Sequence, residues 1–103
     1  NGAILENYVV SEIIKSYVHN AKTPNIYYYR DKDKKEIDVI IEKNDKLYPI
    51  EIKKSANPNN REVQKYFVID KASLNRGNGG IICMCEEPVP IDNDNCLIPS
   101  NLI

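Results

Sequence analysis

Two apolar segments of the chain, residues 36–42 and 47–54, each carry a carboxylate where a buried strand normally has a hydrophobic residue. If Asn44–Asp45 is a two-residue hairpin turn, Asp38 lies directly across from Glu51. Directly opposed side chains have Cβ atoms only about 4.5–5.5 Å apart. Two carboxylates held that close repel each other, and a divalent cation is the compensation that also supplies chemistry.

Lys53 adds a cation to this pair of acids. It follows Glu51 by two residues, and side chains on a strand repeat their direction every two residues. Two acids and a lysine on one face indicate a metal-assisted phosphodiester site. The alternative is a solvated strand face with salt bridges from Glu36 to Lys53 and from Asp38 to a lysine. The same register predicts that the other face of the hairpin is core, formed by Ile37, Val39, Ile41, Tyr48, Ile50 and Ile52.

Length and composition limit the class of protein. The chain has 103 residues, 42% of them hydrophobic, which indicates one globular domain. Its net charge is −1, so the charge of the domain as a whole does not attract nucleic acid. No apolar run approaches the roughly 20 residues of a membrane span, and no signal peptide is recognisable, so we expect a cytoplasmic protein and no membrane partner. Three cysteines cannot all pair within the chain, which suits a reducing compartment.

The pattern along the chain predicts a helix, three strands, a second helix and a strand. The predicted elements are a helix over 3–19, a strand at Tyr27–Tyr29, a hairpin over 35–54, a helix over Arg61–Lys71 capped by Asn59 or Asn60, and a strand at Ile81–Cys85. We expect Gly77, Gly79 and Gly80 to form a plain turn. The tail from Glu86 should be mostly irregular, with a small edge strand near Leu97.

Glu6 is a third candidate acid. It is the charged residue on an arc of the first helix that otherwise contains Val9, Val10, Ile13 and Tyr17. A carboxylate on a core-facing arc needs a partner, because burying it unpaired is costly. The alternative is that Glu6 occupies the first turn, where the helix dipole favours acids.

With Glu6 on a first helix, Asp38 on one strand and Glu51-Ile52-Lys53 on the next, the chain resembles the PD-(D/E)XK nuclease superfamily. The resemblance implies an α/β fold with a restriction-endonuclease-like core: an α-β-β-β-α-β succession and a mixed central sheet flanked by helices. Four phrases more narrowly resemble the uncharacterised C-terminal domain found behind AAA+ ATPase modules in bacteria and archaea: LENYVVSE (5–12), YYRD (28–31), EID (36–38) and PIEIKKS (49–55). The resemblance covers residues 2 to about 100.

This resemblance implies that residues 1–103 are a single nuclease-like domain, a C-terminal fragment of a larger AAA+ ATPase. Asp38 and Glu51, with the Ile52 carbonyl, would hold Mg²⁺ or Mn²⁺, and Glu6 would ligate the ion directly or hold one of its waters. Lys53 would orient the attacking water or offset charge on the phosphate. The residues expected to touch nucleic acid are Lys54, Arg61, Gln64 and Lys65, although a solvated helix face is the favoured interpretation of the last three.

Two function classes follow from the resemblance. The first is a metal-dependent endodeoxyribonuclease attached to an ATPase, with DNA as substrate and ATP bound only on the missing N-terminal module. The second is a catalytically idle domain that docks DNA or a partner for that ATPase. The sequence has no G-x-x-x-x-G-K-S/T motif, and Gln64 and Tyr66 do not have the Gln-x-x-x-Tyr spacing of RecB-like nucleases.

Overall fold

The computed structural model describes residues 2–19, 25–72 and 74–102, and for residues 2, 3, 6, 7 and 16–19 it describes the backbone alone. The described residues form a mixed α/β fold built on a six-stranded mixed sheet. The elements are α1 (Gly2–His19), β1 (Ile26–Arg30), β2 (Glu36–Lys43), β3 (Lys46–Ile52), the 3-10 helix η1 (Asn60–Tyr66), α2 (Phe67–Lys71), β4 (Gly79–Cys83), β5 (Val89–Pro90), β6 (Asn95–Pro99) and a final 3-10 turn (Ser100–Leu102).

The β2–β3 hairpin has the predicted turn and the predicted register. Asn44 and Asp45 have positive φ angles of 53° and 63°, as a two-residue primed turn requires. The ladder runs from the Lys43–Lys46 pair to the Val39–Ile50 pair without a shift. Strands lie in the order β1-β2-β3-β4-β6-β5, with β3, β4 and β6 parallel to one another and the remaining neighbours antiparallel.

One predicted face assignment is wrong, because β2 contains a bulge. Tyr27 pairs with Ile40 but Tyr29 pairs with Ile37, so β2 contains one more residue than β1 between these two pairs. The extra residue interrupts the alternation of side chains along β2. Ile37 therefore packs with Ile40, on the opposite side of the sheet from Val39.

The sheet has a core on each face. Against one face α1 packs Val9 and Ile13, and against the other lie η1 and α2. The buried residues of the α1 side are Val9, Ile13, Val39, Ile52 and Ile82. Those of the η1 side are Ile37, Ile40, Val63, Tyr66, Ile69, Ile81 and Cys83. None of the helices in the described part of the chain is long and apolar enough to cross a membrane.

The second helix differs from the prediction in its geometry. The Asn59 side chain caps it as expected, accepting a hydrogen bond of 2.9 Å from the Arg61 amide. Its first seven residues are nevertheless 3-10 helix, and only five residues of α-helix follow. The buried residues Val63, Tyr66 and Ile69 recur every three positions, which matches the three residues per turn of a 3-10 helix.

Two predictions about the C-terminal third are wrong. Gly79 and Gly80 begin β4 rather than forming a turn, because the backbones approach closely there: a Cβ on Gly80 would overlap the Cys96 carbonyl. The strand near Leu97 is not an edge strand, since β6 pairs with β4 on one side and with β5 on the other. Pro99 is tolerated because it is the last residue of β6.

Candidate functional site

Asp38 lies where β2 stops following β3. The last paired residues are Val39 and Ile50, and beyond them Asp38 Oδ2 accepts a hydrogen bond of 2.9 Å from the Ile52 amide. A side-chain oxygen thus takes the place of a backbone acceptor and fixes the carboxylate. The Ile52 carbonyl points toward the same side of β3 as its amide, because the N–H and C=O of one strand residue share a direction.

Glu51 is a buried acid beside Asp38, with only 3% of its surface exposed. Its Oε2 atom contacts the Lys65 ammonium, but without hydrogen-bond geometry, so this buried oxygen has no hydrogen-bond donor among the described residues. Burial, followed by hydrogen bonding to Asp38, raises the pKa of Glu51 to about 8 against the opposing effect of Lys65. The contact with Lys65 therefore does not offset the effect of burial on Glu51.

Glu62 on η1 connects two lysines at this site. Its Oε2 lies 3.1 Å from Lys65 Nζ and 3.8 Å from Lys53 Nζ. Burial works to lower the pKa of Lys65, but its contacts with the carboxylates of Glu51 and then Glu62 raise it, so the ammonium stays charged. The Lys53 side chain is 40% exposed and its contact is long, which leaves its ammonium available to a ligand.

Tyr66 anchors η1 to the sheet directly behind the acids. It is fully buried, and its hydroxyl donates a hydrogen bond of 2.7 Å to the Gly80 carbonyl. Burial, and then the charge of Glu51, raises the pKa of Tyr66, so the hydroxyl remains a donor. Lys65, the residue directly before Tyr66 on η1, depends on this anchor for its position.

The acids and lysines open into a cleft of about 460 Å³ at this end of the sheet. Residues from the β1–β2 turn, from the ends of β2 and β3, and from η1 surround it. The lining residues are Lys34, Lys35, Glu36, Asp38, Glu51, Ile52, Lys53, Lys54 and Lys65.

A family model with the description "Domain of unknown function (DUF4143)" matches residues 1–103, the whole chain. The chain belongs to this DUF4143 family. No curated protein and no solved structure matches it.

The donors of this DUF4143 domain suit Mg²⁺. The carboxylates of Asp38 and Glu51 and the carbonyl of Ile52 are hard oxygen ligands, and the buried Glu51 Oε2 already has a positive charge, the Lys65 ammonium, against it. No group of three or more Asp, Glu, His or Cys side chains that could hold a metal occurs among the side chains that the structure describes. The fit is therefore to an ion that keeps several waters, as Mg²⁺ does when one or two carboxylates bind it.

The remaining predicted residues fall in different places. The Glu6 side chain lies outside the described residues, although Leu5 and Tyr8 of the same helix turns lie beside Lys54, just beyond the end of β3. Lys54 and Lys65 line the cleft. Arg61 and Gln64 are exposed on η1 but are not part of the cleft lining.

Four residues of the site were not predicted in the roles they have. Lys34 and Lys35 directly precede β2, at the end that carries Asp38, so their position in the sequence was a usable signal. The three-residue spacing of Val63, Tyr66 and Ile69 could have identified Tyr66 as buried. For Glu62, which joins Lys53 to Lys65, the sequence contains no comparable signal.

Proposed function

We propose that this domain hydrolyses phosphodiester bonds of DNA with Mg²⁺ or Mn²⁺, as a nuclease with a restriction-endonuclease-like core of the PD-(D/E)XK type. The observation that supports the proposal is the convergence of Asp38 and Glu51 in a cleft that Lys53 also lines. A solvated strand face would leave both acids exposed. Here one is 3% exposed and the other is held by a backbone amide.

Each residue then has a role set by its contacts. Asp38 Oδ2 accepts a hydrogen bond from the Ile52 amide, so its second oxygen would be the one to hold the ion, together with the Glu51 carboxylate. The bound ion supplies the positive charge that polarises the phosphoryl oxygen and activates water. Lys53 offsets the charge that develops on the phosphate. Glu6, on α1, completes the proposed set as a ligand or as the holder of a metal-bound water.

The proposal extends to the protein that contains the domain. From the resemblance of its sequence phrases, we propose that the domain follows an AAA+ ATPase module in the same chain. ATP would bind on that module and not in the cleft described here.

A second candidate function is docking without cleavage, in which the domain holds DNA or a protein partner for the ATPase. The contact between Lys65 and Glu51 favours it, because an internal ammonium already compensates part of the acidic charge. In that case the cluster of acids and lysines is a structural ion-pair network.

The test variant is Asp38→Asn. Its matched control is Asp45→Asn, which makes the same change at the turn of the same hairpin. The side-chain amide introduced by Asp38→Asn retains an oxygen for the Ile52 amide, and asparagine tolerates the positive φ of residue 45. Single-stranded and plasmid DNA would be incubated with each variant in Mn²⁺, and Mn²⁺ binding measured by calorimetry. We expect cleavage to fall on the order of 100-fold or more in the Asp38 variant, as when one group that stabilises transition-state charge is removed.

The control variant should cleave and bind Mn²⁺ as the unchanged domain does. Equal cleavage by the two variants would show that Asp38 takes no part in the reaction. Saturable binding of DNA without any cleavage in Mg²⁺ or Mn²⁺ would favour the docking function instead.

A further inference from the structure

The turn between β1 and β2 is held together by one carboxylate. Asp31 Oδ1 accepts hydrogen bonds from the amides of Asp33 (2.9 Å) and Lys35 (3.0 Å), and its Oδ2 accepts one of 3.1 Å from the Tyr29 hydroxyl. Lys34 has a left-handed backbone with φ of 63°, and the bonds to Asp31 hold the turn in that conformation. The turn is thus an ordered support for the two lysines that it carries.

These two lysines belong to a concentration of positive charge. The cleft lining contains five lysines and three acids, whereas the whole chain has a net charge of −1. Lys34 and Lys54 are exposed, and neither forms an ion pair with any side chain described in residues 4–19, 25–72 or 74–102. The Nζ atom of Lys35 lies 4.6 Å above the ring of Phe67, which connects the turn to α2.

An exposed aromatic ring lies on β1, the strand that pairs with β2. Tyr28 on β1 is 57% exposed, and burial, followed by interaction with Glu36 of the cleft lining, raises the pKa of its hydroxyl. The neighbouring Tyr27 is 50% exposed and points to the opposite side of the strand, since side chains alternate. Tyr28 therefore offers an exposed ring next to Glu36 of the cleft lining, and Tyr27 offers a similar ring on the other face of the sheet.

We infer that the cleft binds single-stranded nucleic acid, with phosphates on Lys34, Lys35 and Lys54 and a base stacked on Tyr28. A basic groove that follows the backbone, combined with an exposed aromatic face, is the arrangement that binds single strands with little sequence preference. In a duplex the base faces are already stacked on one another. The inference takes its substrate class from the proposed function, but it concerns binding and does not require cleavage.

The lysines of the turn can be tested against a matched pair. Lys34→Gln/Lys35→Gln would be compared with Lys43→Gln/Lys46→Gln, which removes the same charge from exposed lysines at the opposite end of β2 and β3. Binding of a short fluorescein-labelled DNA strand would be followed by anisotropy in EDTA, where no metal-dependent cleavage occurs. We expect the turn pair to lose about 10-fold in affinity and about 1.4 in the salt slope, since each phosphate contact of a single strand contributes about 0.7. The matched pair should change affinity by less than about 2-fold.

Tyr28→Ala and Tyr27→Ala make the second comparison. Loss of one stacked base should weaken binding of the single strand by about 5-fold or more in the Tyr28 variant alone.

Because Lys35 also packs on Phe67, Lys34→Gln alone serves as a variant that leaves this contact intact. Thermal melting would establish that each variant is folded.

Equal losses for the two lysine pairs would overturn the inference, as would tighter binding of a duplex than of its separate strands. Displacement of the strand by polyphosphate as effectively as by unlabelled DNA, with no effect of Tyr28→Ala, would also overturn it, because the cleft would then recognise charge alone. If the variants bind single strands as expected but the domain cleaves no DNA, the inference is supported and the nuclease proposal fails. If the domain cleaves DNA and the turn variants bind single strands as the unchanged domain does, the nuclease proposal is supported and the inference fails.

Discussion

The two ends of the β2–β3 hairpin differ in how closely they follow the local rules of strand pairing. At the turn end, Asn44 and Asp45 adopt the positive φ angles of a primed turn, and Lys43 pairs with Lys46 as the ladder requires. Residues here are exposed, charged and conformationally suited to their positions. This end needs no partner elsewhere in the molecule to explain its structure.

The open end departs from these rules at each step. A bulge interrupts β2, the Asp38 side chain replaces a backbone acceptor, and Glu51 is a buried acid in contact with Lys65. Each departure costs free energy that packing elsewhere must supply. Such costs are typical of functional sites, where residues are placed for chemistry rather than for stability. The contrast within one hairpin therefore favours a functional site at the open end, and residues at the turn end serve as matched controls.

The largest effect in this comparison is expected from Lys53→Met, set against Lys46→Met at the turn end. Cleavage should fall about 100-fold in the Lys53 variant, the loss expected when a group that stabilises developing charge is removed. Mn²⁺ affinity should be unchanged, because an ammonium does not ligate the ion. A parallel loss of Mn²⁺ affinity in calorimetry would mean that Lys53 supports the acids rather than the reaction.

Glu51→Gln should change how stability depends on pH. The pKa of Glu51 is raised from 4.5 to about 8, so between these values the folded state binds a proton that the unfolded state has released. Stability conferred by this protonated group is complete below pH 4.5 and is lost as the pH rises toward 8. One pKa unit corresponds to about 1.4 kcal/mol, and the value of about 8 already includes the opposing effect of Lys65, so the expected decline is on the order of 5 kcal/mol.

The measurement is urea unfolding of both proteins across this pH range. In the absence of metal, the free energy of unfolding of the unchanged domain should fall as the pH rises, whereas that of the variant should not. The variant should therefore be the more stable form at pH 8. Parallel pH profiles for the two proteins would mean that Glu51 is ionised at neutral pH in the absence of metal.

The smallest effect is expected from Asp45→Gly at the turn end. Asn-Gly is the preferred pair for a primed turn, and glycine adopts the φ of 63° observed at residue 45 without a steric penalty. The free energy of unfolding should rise by about 0.5 kcal/mol. DNA cleavage and Mn²⁺ binding should be unaffected. A change in either activity would show that the two ends of the hairpin are coupled.

Much of the hairpin could be predicted because its determinants are local. The turn residues and the two-residue periodicity of the flanking strands are sufficient to place Asp38 next to Glu51, as found. The face of Ile37 could not be predicted from β2 alone, since the bulge arises from its pairing with β1. The interior position of β6 escaped prediction for a similar reason: strand order depends on distant segments meeting, which periodicity does not encode.

By itself the sequence determined the turn at Asn44–Asp45, the register that follows from it and the adjacency of two acids, because short-range sterics and alternation act within a few residues. The burial of Glu51, its contact with Lys65 and the convergence of lysines from three separate segments were decided only by tertiary structure. The physical reason is that burial and charge contacts depend on which surfaces meet when η1 docks on the sheet. That docking is set by Tyr66 and the core around it, far along the chain from the residues it affects.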